Sequence, residues 1–547
     1  MSDYHLSPLP SPRQSSGPLL VVIADGVGIA PEGPSNAVAL ANTPTLDALA
    51  AGPMSTTLKA HGVAVGLPTD DDMGNSEVGH NALGAGRIFA QGAKLVNAAI
   101  ESGSIYTSTV WAAAMARVAE PVGGSGTLHV LGLHSDGNVH AHVDHLYNLL
   151  RRAAAEGVKN AVVHILLDGR DVDARSALLY IEATESVLAE INTGAEGANF
   201  RIGSGGGRMV ITMDRYEADW SMVERGYHCH VNGKGRGFAS AWDAVTTMYA
   251  ESDLGDQDLA PFVIVDGDGV PVGRIGDGDS VIMSNFRGDR AIEISQAMEY
   301  SDFTAFDRGD HPDVYFAGML QYDGDSKVPA NYLVDPPAID RTMSDYLCAE
   351  GVTSFAISET QKFGHVTYFW NGNRSGYVNA DLETYVEIPS DVISFDQAPA
   401  MKAAEIADEA IRLLESGDCQ FGRLNFANGD MVGHTGNLAA TIEAMEALDT
   451  AVARLVEAID SLGGILIYTA DHGNADVMYK ESNGVRSPVT SHTLNPVPFA
   501  IHDKTGNPNY SLESVPDAGL GNVAATVINL LGFGAPDFYE PSLVRFD

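Results

Sequence analysis

Residues 19–26 read LLVVIADG, and residues 463–474 read GGILIYTADHGN. Each is a short apolar run that ends in an aspartate beside glycine or histidine. A continuous apolar run of this length, bounded by turn residues, predicts a strand buried on both faces. In α/β sheets, ligands sit beyond the carboxyl ends of the strands. Asp25 and Asp471 are therefore delivered to similar loops by two strands about 450 residues apart.

Between such strands lie helical patterns. Ile442, Met445, Leu448, Val452, Leu455, Ile459 and Leu462 recur at spacings of three and four, and Gly463-Gly464 follows. Ala403, Ile406, Ala410, Leu413 and Leu414 form a second apolar face, closed by Gly417. Both predict amphipathic helices with one face on a core, and Met445 reads as core filling. TLHVLGL (127–133), AVVHILL (161–167), FVIV (262–265) and VIMSNF (281–286) read as further strands, with Leu146, Leu149 and Leu150 on a helix between the first two. Strands alternating with helices predict an α/β fold with parallel sheets. The chain is expected to leave one domain near 93–97 and return to it near 333–340 (LVDPPAID). That gives residues 18–95 and 337–547 as one domain, with 96–336 inserted. Residues 1–17, polar and rich in Pro and Ser, read as a disordered extension without the apolar core of a signal peptide.

Composition narrows the function. The 547 residues carry 72 acidic and 32 basic side chains, a net charge of −40. Such a surface repels nucleic-acid phosphates and anionic membranes, so neither is expected as a partner. No apolar run approaches the ~20 residues that span a bilayer, and the chain reads as cytoplasmic. Cys229, Cys348 and Cys419 are odd in number and far apart, and they read as idle thiols in a reducing compartment.

Oxygen and nitrogen ligands cluster. Asp430 and His434 stand four residues apart, Asp471-His472 closes a strand, His492 sits in TSHTLNP, and Asp25 ends the first strand. Mixed Asp/His sets without thiolate suit divalent ions such as Mn²⁺, Zn²⁺ or Co²⁺. Ser76 lies in the Gly-punctuated stretch DDMGNSEVGHNALGAGR. By itself it is a cap or turn residue, but a bound metal lowers a hydroxyl pKa and makes it a nucleophile. Arginines gather as well: Arg170 beside Asp171 in LLDGRDV, Arg208 and Arg215 in GGGRMVITMDR, Arg287 and Arg290 in NFRGDR. Arginine is suited to bidentate capture of phosphate and carboxylate. Lys362 in SETQKFGH is one of nine lysines. GSGGGR lacks the GK[ST] of a phosphate loop, and Asp266 and Asp268 lack the later ligands of a calcium loop. Of His134, His140, His142 and His145, at most one is expected to be functional.

The blocks IADGVGIAPEGPSNAV, DDMGNSEVGHNALGAGR, GLHSDGNVHAHVDHL, LLDGRDV, GGGRMVITMDRYEADW, NFRGDRA, SETQKFGHVTYFWNGNRSGY, NGDMVGHTGN, TADHGNAD and SHTLNPVP occur in this order. Together they closely resemble the 2,3-bisphosphoglycerate-independent phosphoglycerate mutases, from about residue 18 to near the C-terminus. DRYEADW and FWNGNRSGY resemble the longer subtype of plants and trypanosomatids. The resemblance implies an alkaline-phosphatase-like metal-binding domain, split in sequence, with a second α/β transferase domain inserted. It implies two divalent ions, manganese in many members and cobalt or magnesium in some. One would take Asp430, His434 and His492, and the other Asp25, Ser76, Asp471 and His472. It places His140, Arg170, Asp171, Arg208, Arg215, Arg287, Arg290 and Lys362 on the substrate.

The activity so implied is interconversion of 3-phosphoglycerate and 2-phosphoglycerate, in glycolysis and gluconeogenesis, without 2,3-bisphosphoglycerate. Ser76 would take the phosphoryl group and hand it back after the glycerate reorients, with Asp171 as base and Lys362 balancing charge. Closure between the domains would exclude water. A monomer is expected, as in most members. The nearest alternative is a phosphomonoesterase or other phosphomutase of the same superfamily. The second is a metal-binding scaffold protein without activity.

Overall fold

A computed structural model gives the architecture of the chain. It describes residues 4–11, 16–67, 69–90, 92–215, 218–309, 311–323, 327–335, 339–482, 485–504 and 509–546. The chain divides into two compact units, Met1–Gln91 with Ala338–Asp547, and Gly92–Pro337. The return expected at residues 336–337 lies outside the described residues.

The first unit is built on a seven-stranded sheet in the order Glu383–Ile388, Ser354–Glu359, Phe421–Phe426, Leu19–Ala24, Ile465–Thr469, Val497–His502, Ser55–Leu58. The first five strands run parallel, and Val497–His502 is antiparallel to both of its neighbours. Leu19–Ala24 is central: Leu19 pairs with Phe421 on one side and Ile465 on the other. All six of its residues are buried, as an uninterrupted apolar run requires of a strand covered on both faces. The Leu438–Leu462 and Ala403–Ser416 helices close at Gly463 and Gly417, both in the left-handed conformation that glycine adopts without strain. Met445 is fully buried in the core.

The second unit carries its own seven-stranded sheet: Arg236–Phe238, Phe262–Ile264, Asn199–Gly207, Asn160–Leu167, Leu128–Leu133, Ser280–Met283, Tyr315–Gly318. Only the Asn199–Gly207 and Phe262–Ile264 pair is antiparallel. The glycines of GSGGG lie inside the Asn199–Gly207 strand, not in a phosphate-binding loop. The VIMSNF strand stops at Met283, and Ser284–Phe286 continues as loop.

The disordered extension expected at the N-terminus is corrected over residues 4–11. Leu6 is buried, and its amide donates to Glu350 Oε1 at 2.7 Å. Leu9 donates to the Gly532 carbonyl, and Gly534 donates to that of Ser7. Tyr4 packs edge-on against Tyr346. Composition reports the solubility of the segment, but two apolar anchors and three backbone bonds hold it to the first unit. The rest of the extension is covered only at residues 16–17.

Candidate metal and anion centres

In the first unit, four adjacent parallel strands each end in a site residue. Asp25 follows Leu19–Ala24, and Asp471 and His472 follow Ile465–Thr469. Asp430 sits on the short Asn428–Gly433 helix after Phe421–Phe426, with His434 at that helix's C-cap. Lys362 sits on Thr360–Gly364 after Ser354–Glu359, ahead of a π-helical turn at His365–Phe369. His492 precedes Val497–His502, whose opposite direction starts it where its neighbour ends. Ser76 opens the Ser76–Ala85 helix, whose N-cap Asn75 accepts from the Val78 amide. That helix lies against the strand ends because residue 79 is glycine. A Cβ there would stand 2.9 Å from the Asp471 Cβ.

These side chains converge. Ser76 Oγ is 3.0 Å from His472 Nε2 and 3.3 Å from Asp25 Oδ1, and it also contacts Lys362 Nζ. Lys362 Nζ is 2.7 Å from Asp25 Oδ1 and 2.8 Å from Asp430 Oδ2. His434 Nε2 lies 3.0 Å from Asp430 Oδ1, and His492 Nε2 lies 3.2 Å from it. All seven proposed ligands and Lys362 are buried.

The proton inventory identifies what the pocket suits. His434 Nδ1 is 2.5 Å from the Thr490 carbonyl, and His492 Nδ1 is 2.7 Å from that of Gly74. A carbonyl only accepts, so in each neutral ring the proton sits on Nδ1. Both Nε2 lone pairs therefore point inward, 3.0 Å from one another and beside a carboxylate. Asp471 Oδ2 is buried and accepts no hydrogen bond among the described residues. Buried acceptors that face one another fit a cation, and an all N/O set suits a divalent ion. Two groups of ligand atoms meet within 4.8 Å: Asp430, His472 and His492; and Asp25, His80 and Asp471.

Negative charge dominates the electrostatics of the pocket. Burial opposes the charge on Asp430, yet the Lys362 ammonium beside it holds its carboxyl well below the usual range. Burial likewise opposes a charged His472, but Asp471, the Asp25 hydrogen bond and Asp430 push its imidazole up to about 9.

His80 went unnoticed in the sequence. Its Nδ1 donates to the Ser76 carbonyl at 2.8 Å and stands 3.3 Å from Asp471 Oδ2, while Asn425 Nδ2 lies 3.2 Å from its Nε2. Asn425 also donates to Asp25 Oδ2 at 2.8 Å. The signal for His80 was its position four residues after Ser76, one helical turn on.

The second unit holds the other half of the candidate set, again beyond strand ends. Arg170 and Asp171 follow Asn160–Leu167, Arg208 follows Asn199–Gly207, Arg287 and Arg290 follow Ser280–Met283, and His140 follows Leu128–Leu133. Arg215 stands seven residues past Arg208. None of these is more than 7% exposed. Arg208 pairs with Asp171 and, at 2.8 Å, with Asp168. Asp289 lies 3.0 Å from Arg287 Nε, 3.7 Å from Arg215 Nη1 and 3.6 Å from His140 Nδ1. Five buried guanidiniums thus meet three carboxylates. Burying unbalanced charge is costly, and an anionic ligand relieves it. Burial, then Arg215, Arg170 and Arg208, drive the Arg290 pKa well below its ordinary value, and burial, followed by the arginines around it, lowers the His140 pKa in the same way.

Asp168 and Asp289 were missed, although both sit inside the blocks that flagged their arginines. Asp168 also accepts from Ser135 Oγ at 2.5 Å and from the Arg170 and Asp171 amides at 3.2 and 3.0 Å. It thereby shapes the loop that carries both. Of the four candidate histidines, only His140 joins the cluster; His134 bonds Thr184, His145 bonds Asn97, and His142 caps the Val143–Ala155 helix. The cysteines are unpaired thiols.

Comparison with known proteins follows the same lines. The profile of the metalloenzyme superfamily matches residues 17–535. The chain is 51% identical over 543 residues to a probable 2,3-bisphosphoglycerate-independent phosphoglycerate mutase of Leptospira interrogans, covering 96% of this chain and 97% of that protein. It is 50% identical over 539 residues to the 2,3-bisphosphoglycerate-independent phosphoglycerate mutase of Trypanosoma brucei brucei, again covering 96% and 97%. Among solved structures it is similar to Leishmania mexicana phosphoglycerate mutase, crystallised at low cobalt concentration. The TM-score is 0.96 at 48% identity, over 99% of this chain and all of that one.

Proposed function

The chain belongs to the 2,3-bisphosphoglycerate-independent phosphoglycerate mutases of the metalloenzyme superfamily, and on that footing we propose which residues carry the interconversion of 3-phosphoglycerate and 2-phosphoglycerate. The observation that supports the assignment best is the setting of Ser76. Its hydroxyl stands at a helix N-terminus, in contact with Asp25, His472 and the Lys362 ammonium.

Ser76 Oγ attacks the phosphorus in line as the alkoxide, and the ester bond to glycerate breaks as the Oγ–P bond forms, the departing oxygen taking its proton from Asp171. The Lys362 ammonium and the helix N-terminus lie where negative charge grows on the phosphoryl oxygens. Asp25, Ser76, Asp471 and His472 would hold one divalent ion and Asp430, His434 and His492 the other, and the pair would supply Lewis-acid charge there, with manganese as the proposed ion and cobalt or magnesium as substitutes.

The second unit retains the glycerate. Arg287 and Arg290 bind its carboxylate, and Arg170, Arg208, Arg215 and His140 complete the anion site. Asp171 takes and returns the hydroxyl proton as the other glycerate oxygen recovers the phosphoryl group. Retention separates mutase from phosphatase action, because a glycerate that leaves is replaced by water. The phosphatase reading has no specific observation in its favour. No helix among the described residues is long and apolar enough to cross a membrane. We propose a cytoplasmic monomer.

The test is a mutase assay on EDTA-stripped protein, given 3-phosphoglycerate, coupled to enolase, with no 2,3-bisphosphoglycerate, and titrated with Mn²⁺. Product that appears only with metal supports the assignment. Folded protein without activity in any divalent ion overturns it, and free phosphate without 2-phosphoglycerate supports the phosphatase instead.

A further inference from the structure

Three strands of the second unit's sheet carry a polar residue in an otherwise apolar interior, and the reaction as assigned uses none of them. His129 lies on Leu128–Leu133, His164 on Asn160–Leu167 and Ser204 on Asn199–Gly207. They form one hydrogen-bonded line. Asp279 Oδ2 is 3.1 Å from His129 Nε2, and His129 Nδ1 is 2.9 Å from His164 Nε2. His164 Nδ1 is 2.7 Å from Ser204 Oγ, Ser204 Oγ is 2.8 Å from His230 Nδ1, and His230 Nε2 is 3.1 Å from Thr212 Oγ1.

The line has a single polarity. Burial works against the charge on Asp279, but the His129 hydrogen bond and the Thr127 and Gly276 amides hold its carboxyl below the usual range. It therefore accepts. Burial holds His164 and His230 neutral, so each donates from one nitrogen and accepts at the other. With one ring proton on His129, held on Nε2 by Asp279, the protons point one way: Thr212 to His230, His230 to Ser204, Ser204 to His164, His164 to His129, His129 to Asp279.

The far end is strained. Thr212 is β-branched, fully buried, and has φ +70°, where such a side chain is an outlier. Its amide donates to the Met222 carbonyl at 3.0 Å. Gly226 leaves room for it, since a Cβ there would lie 2.1 Å from Thr212 Oγ1. The next carbonyl, Met213, accepts from Arg290 Nη1 at 2.6 Å, and Arg215 follows two residues later.

Resting on the anion-site reading above, we propose that Thr212 is a positioning residue for the mutase. The polarised line from Asp279 holds its hydroxyl as a donor, locks the left-handed turn, and so aims the Met213 carbonyl at Arg290 and Arg215 at Asp289.

The test is steady-state kinetics on the Mn²⁺-loaded full-length enzyme. T212V keeps the shape and removes the hydroxyl; KM for 3-phosphoglycerate should rise about tenfold, with kcat within about threefold. T212S should restore KM. T212G, free to adopt φ +70°, should fall between them. A T212V that melts lower while keeping KM within about twofold reduces the line to a structural role and overturns the proposal. If T212V does not fold, T212S and T212G decide alone: an unchanged KM in T212G overturns it. Nitrogen-15 spectra of histidine-labelled wild type should place the proton on Nδ1 of His230 and Nε2 of His164, and the reverse pattern overturns the polarity. R290K is the control. If it leaves KM unchanged, the anion-site reading fails and takes the proposal with it, whereas a raised KM in R290K beside an unchanged KM in T212V overturns the role of Thr212 alone.

Discussion

His434 Nε2 and His492 Nε2 stand 3.0 Å apart, and in the neutral rings neither carries the proton that would make a hydrogen bond between them. Each ring has placed its proton on the opposite nitrogen, against a backbone carbonyl. Two lone pairs and the Asp430 carboxylate are stable together when a cation joins them. Chelation should therefore lower the melting temperature. Restoring Mn²⁺ to 100 times its Kd should return about 2.7 kcal/mol. Calorimetry with and without EDTA measures this, and H434Q should weaken metal binding by about tenfold or more.

Ser76 makes a separable prediction. S76A removes one oxygen from a buried helix N-terminus and leaves the Asn75 cap in place. Mutase activity should fall by on the order of 10³-fold or more, with the thermal transition little changed. Mass spectrometry after mixing wild type with 3-phosphoglycerate should find phosphate on the peptide that contains Ser76. Full activity in S76A would move the nucleophile elsewhere.

Asp289 neutralises part of a cluster that burial makes costly. Arg287 and Arg215 pair with it directly, and they outweigh the effect of burial to keep its carboxyl below the usual range. D289N leaves these guanidiniums without their carboxylate and should cost about 3 kcal/mol. Added 3-phosphoglycerate should recover more melting temperature in D289N than in wild type, because the ligand supplies the missing charge. Equal shifts in both proteins would argue against an anion site here.

Glu359 sets a pH dependence away from the metal ligands. It is 1% exposed and pushed up to about 7 from 4.5, chiefly by burial, against hydrogen bonds from Ser390 and the Lys402 amide. Below pH 4.5 both folded and unfolded forms are protonated, and the site carries no penalty. Between about 4.5 and 7 the unfolded chain loses its proton first, so stability falls as pH rises. Above 7 the loss is complete, about 3 kcal/mol at 1.36 kcal/mol per pKa unit. Urea titrations of E359Q should show a flatter profile and greater stability at pH 8 than wild type.

Much of this site is legible in the pattern of residues along the chain. Asp25, Asp430, Asp471 and His472 each close an apolar run or follow one closely, and the run marks the strand end where an α/β fold collects ligands. The arginines stood out because basic residues are scarce in this chain. His80, Asn425, Asp168 and Asp289 did not stand out, since each resembles an ordinary helix or turn residue until its partners are known. The N-terminal segment misled for a related reason. Its composition is that of a disordered tail, and its anchors, Glu350 and the Gly532–Gly534 turn, are hundreds of residues away.

Residue order was enough to specify the most apolar strands, such as Leu19–Ala24 and Ile465–Thr469, the amphipathic helices with their glycine stops, and the residue types gathered for metal and anion chemistry. Those properties depend on neighbours within a few positions along the chain. Packing had to settle that Leu19–Ala24 lies between Phe421–Phe426 and Ile465–Thr469, that the His434 and His492 lone pairs face one another, and that one carboxylate sits among three arginines. It also settled that five hydrogen bonds from Asp279 end on a strained threonine. Such relations arise when folding brings distant segments within hydrogen-bonding range, and the local pattern of residues carries no record of that distance.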